Sequence, residues 1–145
     1  MAFSSIMEEL GSAAPSFNLP NTNPNAGKPV VSLEDFTASP ALLVAFICNH
    51  CPYVIHIRES FSGFVSEYQD RGLGVVAICS NDVTTHPDDG PENMTAEAVG
   101  HGFSFPYLRD ETQDVAKAYR AACTPDFFLY DGDRRLVYRG QFDAS

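Results

Sequence analysis

The chain has 145 residues, 44% of them hydrophobic, with 11 Phe, 6 Tyr and a net charge of −10 at pH 7. That length suits one domain, residues 1–145, with a sizeable core. The acidic balance argues against nucleic acid or an anionic membrane surface as a partner, and four irregularly spaced Cys are too few for a disulfide scaffold.

Residues 1–10 show neither the positive n-region nor the apolar length of a signal peptide or membrane span, so the expected compartment is the cytoplasm. Residues 11–40 are punctuated by Pro15, Pro20, Pro24, Gly27, Pro29 and Pro40. Residues 17–19 and 30–32 are expected to pair as a short hairpin, with 33–36 as one helical turn. The apolar run 41–47 (Ala-Leu-Leu-Val-Ala-Phe-Ile) reads as a buried central strand. It ends directly in Cys48-Asn-His-Cys51, a Cys-x-x-Cys.

The stretch after the second cysteine reads as a helix. Val54, Ile57, Phe61, Phe64, Val65 and Tyr68 fall on one face at intervals of three and four. Pro52 is tolerated in a first turn, and Gly72 closes the helix. The two thiols are therefore expected where a strand hands over to a helix N-terminus. Backbone N–H groups and the helix dipole favour an anion there, which lowers the pKa of Cys48 and raises its reactivity. Residues 73–79 (Leu-Gly-Val-Val-Ala-Ile-Cys) read as a second buried strand, which completes a βαβ unit.

Beyond it, 84–92 is polar and rich in Pro and Gly and reads as a surface loop. Residues 95–101 read as a short helix stopped by Gly102, and 105–108 as an extended segment. Residues 112–121 read as a helix with Val115, Ala116 and Tyr119 on its apolar face. Residues 127–130 and 136–138 form an antiparallel hairpin around the turn Asp131-Gly-Asp-Arg134. Simple alternation on the last strand puts Leu136 and Tyr138 on one face, which a helix would normally cover.

The element order resembles the thioredoxin fold, with the N-terminal hairpin and mid-chain insertion of the redoxin, or AhpC/TSA (peroxiredoxin-like), superfamily. The resemblance is carried by Gly11-Ser-Ala-Ala-Pro-Ser-Phe-Asn-Leu-Pro20, by Cys48-Asn-His-Cys-Pro-Tyr-Val54, by Asp110-Glu-x-x-x-Val-Ala-Lys-Ala-Tyr119 and by Thr124-Pro-Asp-Phe-Phe-Leu129. It implies an α/β fold with a central mixed β-sheet flanked by helices. It also implies a C-terminal helix after the final hairpin. The 145 residues stop at Asp143-Ala-Ser145, so the chain is expected to lack that segment or to cover the face with a second copy, as a homodimer.

On this resemblance Cys48 is the nucleophile and Cys51 the resolving thiol. His50 stands directly before Cys51, placed to stabilise the Cys48 thiolate and make the disulfide a better oxidant. The resemblance implies a cis Thr124–Pro125 bond packed against the disulfide, leaving backbone at Thr124 to which a substrate chain pairs. Asn49, Tyr53 and Thr124 are the substrate-binding candidates. Cys79 ends the neighbouring strand and is expected to be buried and inert; Cys123 is read the same way.

Two departures stand out. Thioredoxins carry a buried acid six residues before the first cysteine, where this chain has Leu42. Typical peroxiredoxins carry Pro-x-x-x-Thr-x-x-Cys, and counting back gives Val44 and Cys48 from Cys51, or Ala41 and Ala45 from Cys48. The expected activity is thiol–disulfide exchange with protein or small-molecule disulfides and thiols, with a thioredoxin-type reductant and no organic cofactor. One alternative is a thiol peroxidase, in which peroxide converts Cys48 to a sulfenic acid. Another is a metal-binding or metallochaperone module using Cys48, Cys51 and a His; a lone Cys-x-x-Cys supplies only two of the four ligands of a usual zinc site.

Overall fold

The computed structural model describes residues 10–47, 63–80, 90–121 and 126–140. Two short antiparallel strands, β1 (Asn18–Pro20) and β2 (Val30–Ser32), precede a 3₁₀ turn at Leu33–Phe36. Then come β3 (Ala41–Phe46), helix α1 (described over 63–69), β4 (Leu73–Cys79), α2 (Pro91–Gly100), β5 (Tyr107–Arg109), α3 (Asp114–Tyr119), β6 (Asp126–Tyr130) and β7 (Leu136–Gly140). The main sheet has the order β5-β4-β3-β6-β7. β3, β4 and β5 run parallel, and β6 and β7 add antiparallel on the other side of β3. This is a mixed sheet flanked by helices, the α/β thioredoxin-like arrangement.

The apolar runs in β3 and β4 follow from burial on both faces. On one face Leu43, Ala45 and Ile47, with Val75, Ala77, Cys79 and Phe127, pack under Val65 of α1 and Met94 and Ala98 of α2. On the other, Leu42, Val44, Phe46, Val76, Ile78, Phe128 and Tyr130 pack with Tyr119 of α3 and with Phe17 and Val31 of the N-terminal hairpin. Tyr119 is the hub there: its ring lies 5.4 Å from Phe46 and 5.6 Å from Phe128, and its hydroxyl donates to the Pro15 carbonyl at 2.6 Å. Burial pushes the Tyr119 phenol pKa up.

Both sheet edges are covered by the N-terminal arm, which removes unpaired strand edges. Gly11 N–H donates to the Leu136 carbonyl and Leu136 N–H to Ser12, along the outside of β7. At the far edge Asn21 bridges to Leu108, and the Thr22 N–H and hydroxyl both donate to the Tyr107 carbonyl. Among the described residues no helix is long and apolar enough to cross a membrane.

The sequence expectations hold for most elements, with corrections. β1 sits one residue later than 17–19. α2 begins at Pro91, four residues before the expected start, because Gly90 supplies an extended N-cap and Pro91 opens the helix at N1. The expected helix 112–121 shortens to Asp114–Tyr119, bracketed by the left-handed residues Gln113 (φ 65°) and Arg120 (φ 58°). Leu136 and Tyr138 do not share a face. A register shift against β6 pairs Leu136 with Tyr130 and Tyr138 with Leu129, so Leu136 enters the Tyr119 side while Tyr138 faces the α1 side, half exposed.

Candidate functional site

All the site residues singled out in the sequence, Cys48, Asn49, His50, Cys51, Tyr53, Thr124 and Pro125, lie outside the described residues, as does Cys123. The strand ends from which their connections leave are described, and they fix where those connections start. β3 is followed by Ile47 and then Cys48. β6 begins at Asp126, directly after Pro125. The two strands are neighbours, with Phe46 paired to Asp126. The Cys-x-x-Cys connection and the Thr124–Pro125 connection thus issue side by side from one end of the sheet.

That end is a topological switch point. The chain leaving β3 returns through α1 on the Val65 face, whereas the chain entering β6 arrives from α3 on the Tyr119 face. In open α/β sheets a crevice opens where successive connections go to opposite faces, and ligands bind there. β4 ends at the same end, in Cys79 and Ser80. Cys79 is fully buried in the core cluster, as expected.

Two buried polar clusters, neither anticipated in the sequence, hold this end together. In the first, Asp110 directly follows β5 and is almost wholly buried. Its carboxylate accepts from the backbone N–H groups of Val115 (3.3 Å) and Ala116 (2.9 Å) and from the Ser80 hydroxyl (2.7 Å). One side chain thereby caps α3 and ties the end of β4 to it. In the second, Asp126 and Arg139 form a buried ion pair on β6 and β7. Arg139 Nη2 donates to Asp126 Oδ2 at 2.7 Å and Nε donates to Oδ1 at 3.3 Å, with side-chain exposures of 4% and 8%. Nη2 also donates to the Arg120 carbonyl at 2.9 Å, and the guanidinium lies 4.8 Å from the Phe128 ring centre. A charge opening an otherwise apolar strand, as in Asp126-Phe-Phe-Leu-Tyr130, is the signal that marks such a cluster in the sequence.

On the α1 side of the sheet, the rings of Phe64 and Tyr68 lie 4.7 Å apart, tilted at 41°, and remain 36% exposed, while Val65 between them is fully buried. Among the described residues no group of three or more His, Cys, Asp and Glu side chains forms a metal site.

The model of the AhpC/TSA family matches residues 10–139. No curated protein matches the chain. Among solved structures, a hypothetical protein of Sinorhizobium meliloti 1021 is 52% identical, with a TM-score of 0.90 over 96% of this chain and 74% of that one. An uncharacterized conserved protein of Geobacillus kaustophilus is 49% identical, with a TM-score of 0.91 over 96% and 72%. The thioredoxin domain of a thiol-disulfide oxidoreductase of Bacteroides vulgatus is 17% identical, with a TM-score of 0.75 over 93% and 90%, a likeness of fold.

Proposed function

This chain belongs to the AhpC/TSA family, a redoxin with thiol redox chemistry in the general sense, and we propose that it is a thiol–disulfide oxidoreductase working through Cys48 and Cys51. One observation carries the reading. The only Cys-x-x-Cys of the sequence stands on the connection that leaves the central strand at the switch point, beside the stem of the connection holding Pro125.

In the proposed reaction the Cys48 thiolate attacks one sulfur of a substrate disulfide. A Cys48–substrate mixed disulfide forms and the other substrate sulfur leaves as a thiolate, which takes up a proton. Cys51, deprotonated, then attacks the Cys48 sulfur. The substrate's second thiol is released, and Cys48 and Cys51 remain as a disulfide that a dithiol reductant of thioredoxin type restores. Run backwards, the same steps oxidise a substrate dithiol. His50 is assigned the role of stabilising the Cys48 thiolate; Thr124 and Pro125 are assigned the docking of the substrate chain, with Asn49 and Tyr53 beside it. No organic cofactor takes part. Residues 1–145 act in this proposal as one domain, at work in the reducing cytoplasm.

The test is disulfide turnover, peroxide turnover and a reduction potential on one sample. Insulin disulfides are expected to be reduced by the wild type and by neither Cys48→Ser nor Cys51→Ser, with Cys51→Ser trapping a mixed disulfide. Cys48 should titrate well below the ~8.5 of a free cysteine. The potential should be less negative than the roughly −270 mV of thioredoxin, and His50→Pro should lower it. A normal Cys48 pKa with no mixed-disulfide trap would sink the reading.

Family membership favours a second reading, a thiol peroxidase. Peroxide would transfer one oxygen to the Cys48 thiolate, giving a sulfenic acid and releasing water. Cys51 would condense with it to the disulfide and release a second water. The lack of Thr at either peroxidatic spacing predicts slow peroxide reaction. A peroxide rate constant far above that of a free thiolate would make this second reading the primary one.

A further inference from the structure

The guanidinium of Arg139 grips the chain on both sides of one connection. Its Nη2 donates to the carbonyl of Arg120, the residue after α3, and to the carboxylate of Asp126, the first residue of β6. Between those two points lie residues 121–125, including Thr124 and Pro125. Arg120 itself is left-handed (φ 58°), so the chain turns sharply where the grip begins. The Phe128 ring beneath the guanidinium fixes its plane. Nη1 is buried without an acceptor among the described residues, so the side chain keeps one donor nitrogen beyond the two stems it already holds.

We propose that Arg139 is the positioning residue for the connection carrying Thr124 and Pro125, and through it for the docking of a disulfide-bearing chain at the redox site. The inference rests on the redox reading above and deepens it. The fork geometry matters more than the charge. A guanidinium reaches a carboxylate through two nitrogens and still donates to a carbonyl, whereas a lysine ammonium is a point charge on a flexible stem. The pair is neutral as a whole, so its loss should disturb docking more than the acidity of Cys48.

Arg139→Lys in the full chain tests this. It keeps a positive charge beside Asp126 and loses the fork. The KM for insulin disulfides should rise about tenfold with kcat within about twofold, the size expected when one charge-assisted contact stops holding the docking segment. Alkylation of Cys48 by iodoacetamide, which needs no docking, should keep its rate and its pH profile. Amide hydrogen exchange over residues 120–127 should speed up while the rest of the sheet is unchanged. A folded Arg139→Lys with wild-type KM overturns the proposal, and so does a parallel fall of kcat and alkylation rate at constant KM. If Arg139→Lys does not fold, the neutral double variant Asp126→Leu/Arg139→Met is the second variant. It removes the grip on both stems without leaving a buried charge unpaired, so KM should rise; no rise overturns the proposal. If the wild type reduces no disulfide, the redox reading fails by itself. The grip is then judged by hydrogen exchange alone, where unchanged protection over 120–127 would overturn it.

Discussion

Asp110 and Asp126 stand at the same end of the same sheet, both buried, and they are neutralised in opposite ways. Asp110 accepts from two backbone N–H groups and a hydroxyl, donors supplied by α3 and by Ser80. Asp126 accepts from a full countercharge, the buried guanidinium of Arg139. The first arrangement shares one charge among dipoles that the fold holds in place. The second brings two charges out of water and depends on both being present. Each ties a connection at this end to its neighbours: Asp110 joins the end of β4 to α3, and Arg139 joins the end of α3 to the start of β6. The corner beside the Cys48 stem is thus held by the less forgiving of the two devices.

Removing one charge of the ion pair should have the largest effect. Arg139→Met leaves the Asp126 carboxylate buried without its partner and should cost about 3–5 kcal/mol by chemical denaturation. The double variant Asp126→Leu/Arg139→Met should recover most of that loss, because neither charge then remains to be solvated. A double variant no more stable than the single one would mean that Arg139 acts through packing on Phe128 rather than through Asp126.

The Asp110 cluster should respond less. Asp110→Ala leaves the N–H groups of Val115 and Ala116 and the Ser80 hydroxyl to find water, which costs about 1–3 kcal/mol. Asp110→Asn keeps one acceptor oxygen and should fall between the wild type and Asp110→Ala. If Asp110→Ala were as damaging as Arg139→Met, the distinction between dipole-held and charge-held carboxylates would not hold here.

The framework is readable in the sequence where one physical signal dominates. β3 and β4 are unbroken apolar runs, and burial on both faces is the only setting that suits them. The Cys-x-x-Cys comes directly after β3, so its place at the strand's end needs nothing beyond chain order. Asp126 is marked as a charge opening an apolar strand, but its partner is not readable in this way. Arg139 lies in Leu-Val-Tyr-Arg-Gly, a sequence that looks like an ordinary half-exposed strand. Its face depends on the register shift against β6, which no local residue marks and which moves Tyr138 away from the Leu136 side. α2 illustrates the same limit on a smaller scale, since Pro91 signals a loop or a helix start equally well until Gly90 is seen to adopt an extended cap.

A third carboxylate extends the comparison to the surface, where the effect should be smallest. Asp35 accepts from Lys28 Nζ at 2.8 Å and from the Ser32 N–H at 2.9 Å, at the start of the 3₁₀ turn. The Lys28 hydrogen bond, with the Ser32 N–H second, holds its pKa below the usual carboxylate value. The group binds its proton less readily folded than unfolded. Its contribution is therefore fully present above the unfolded pKa and fades as the pH falls through the folded one. Lys28 is largely solvated, so salt screens the pair. Asp35→Asn should lower the melting temperature at pH 7 by less than either buried variant, and the difference from wild type should shrink in 1 M salt and disappear at the acid end of a pH series. A gap that persists unchanged in acid would assign the role of Asp35 to the geometry of the Ser32 contact, not to its charge.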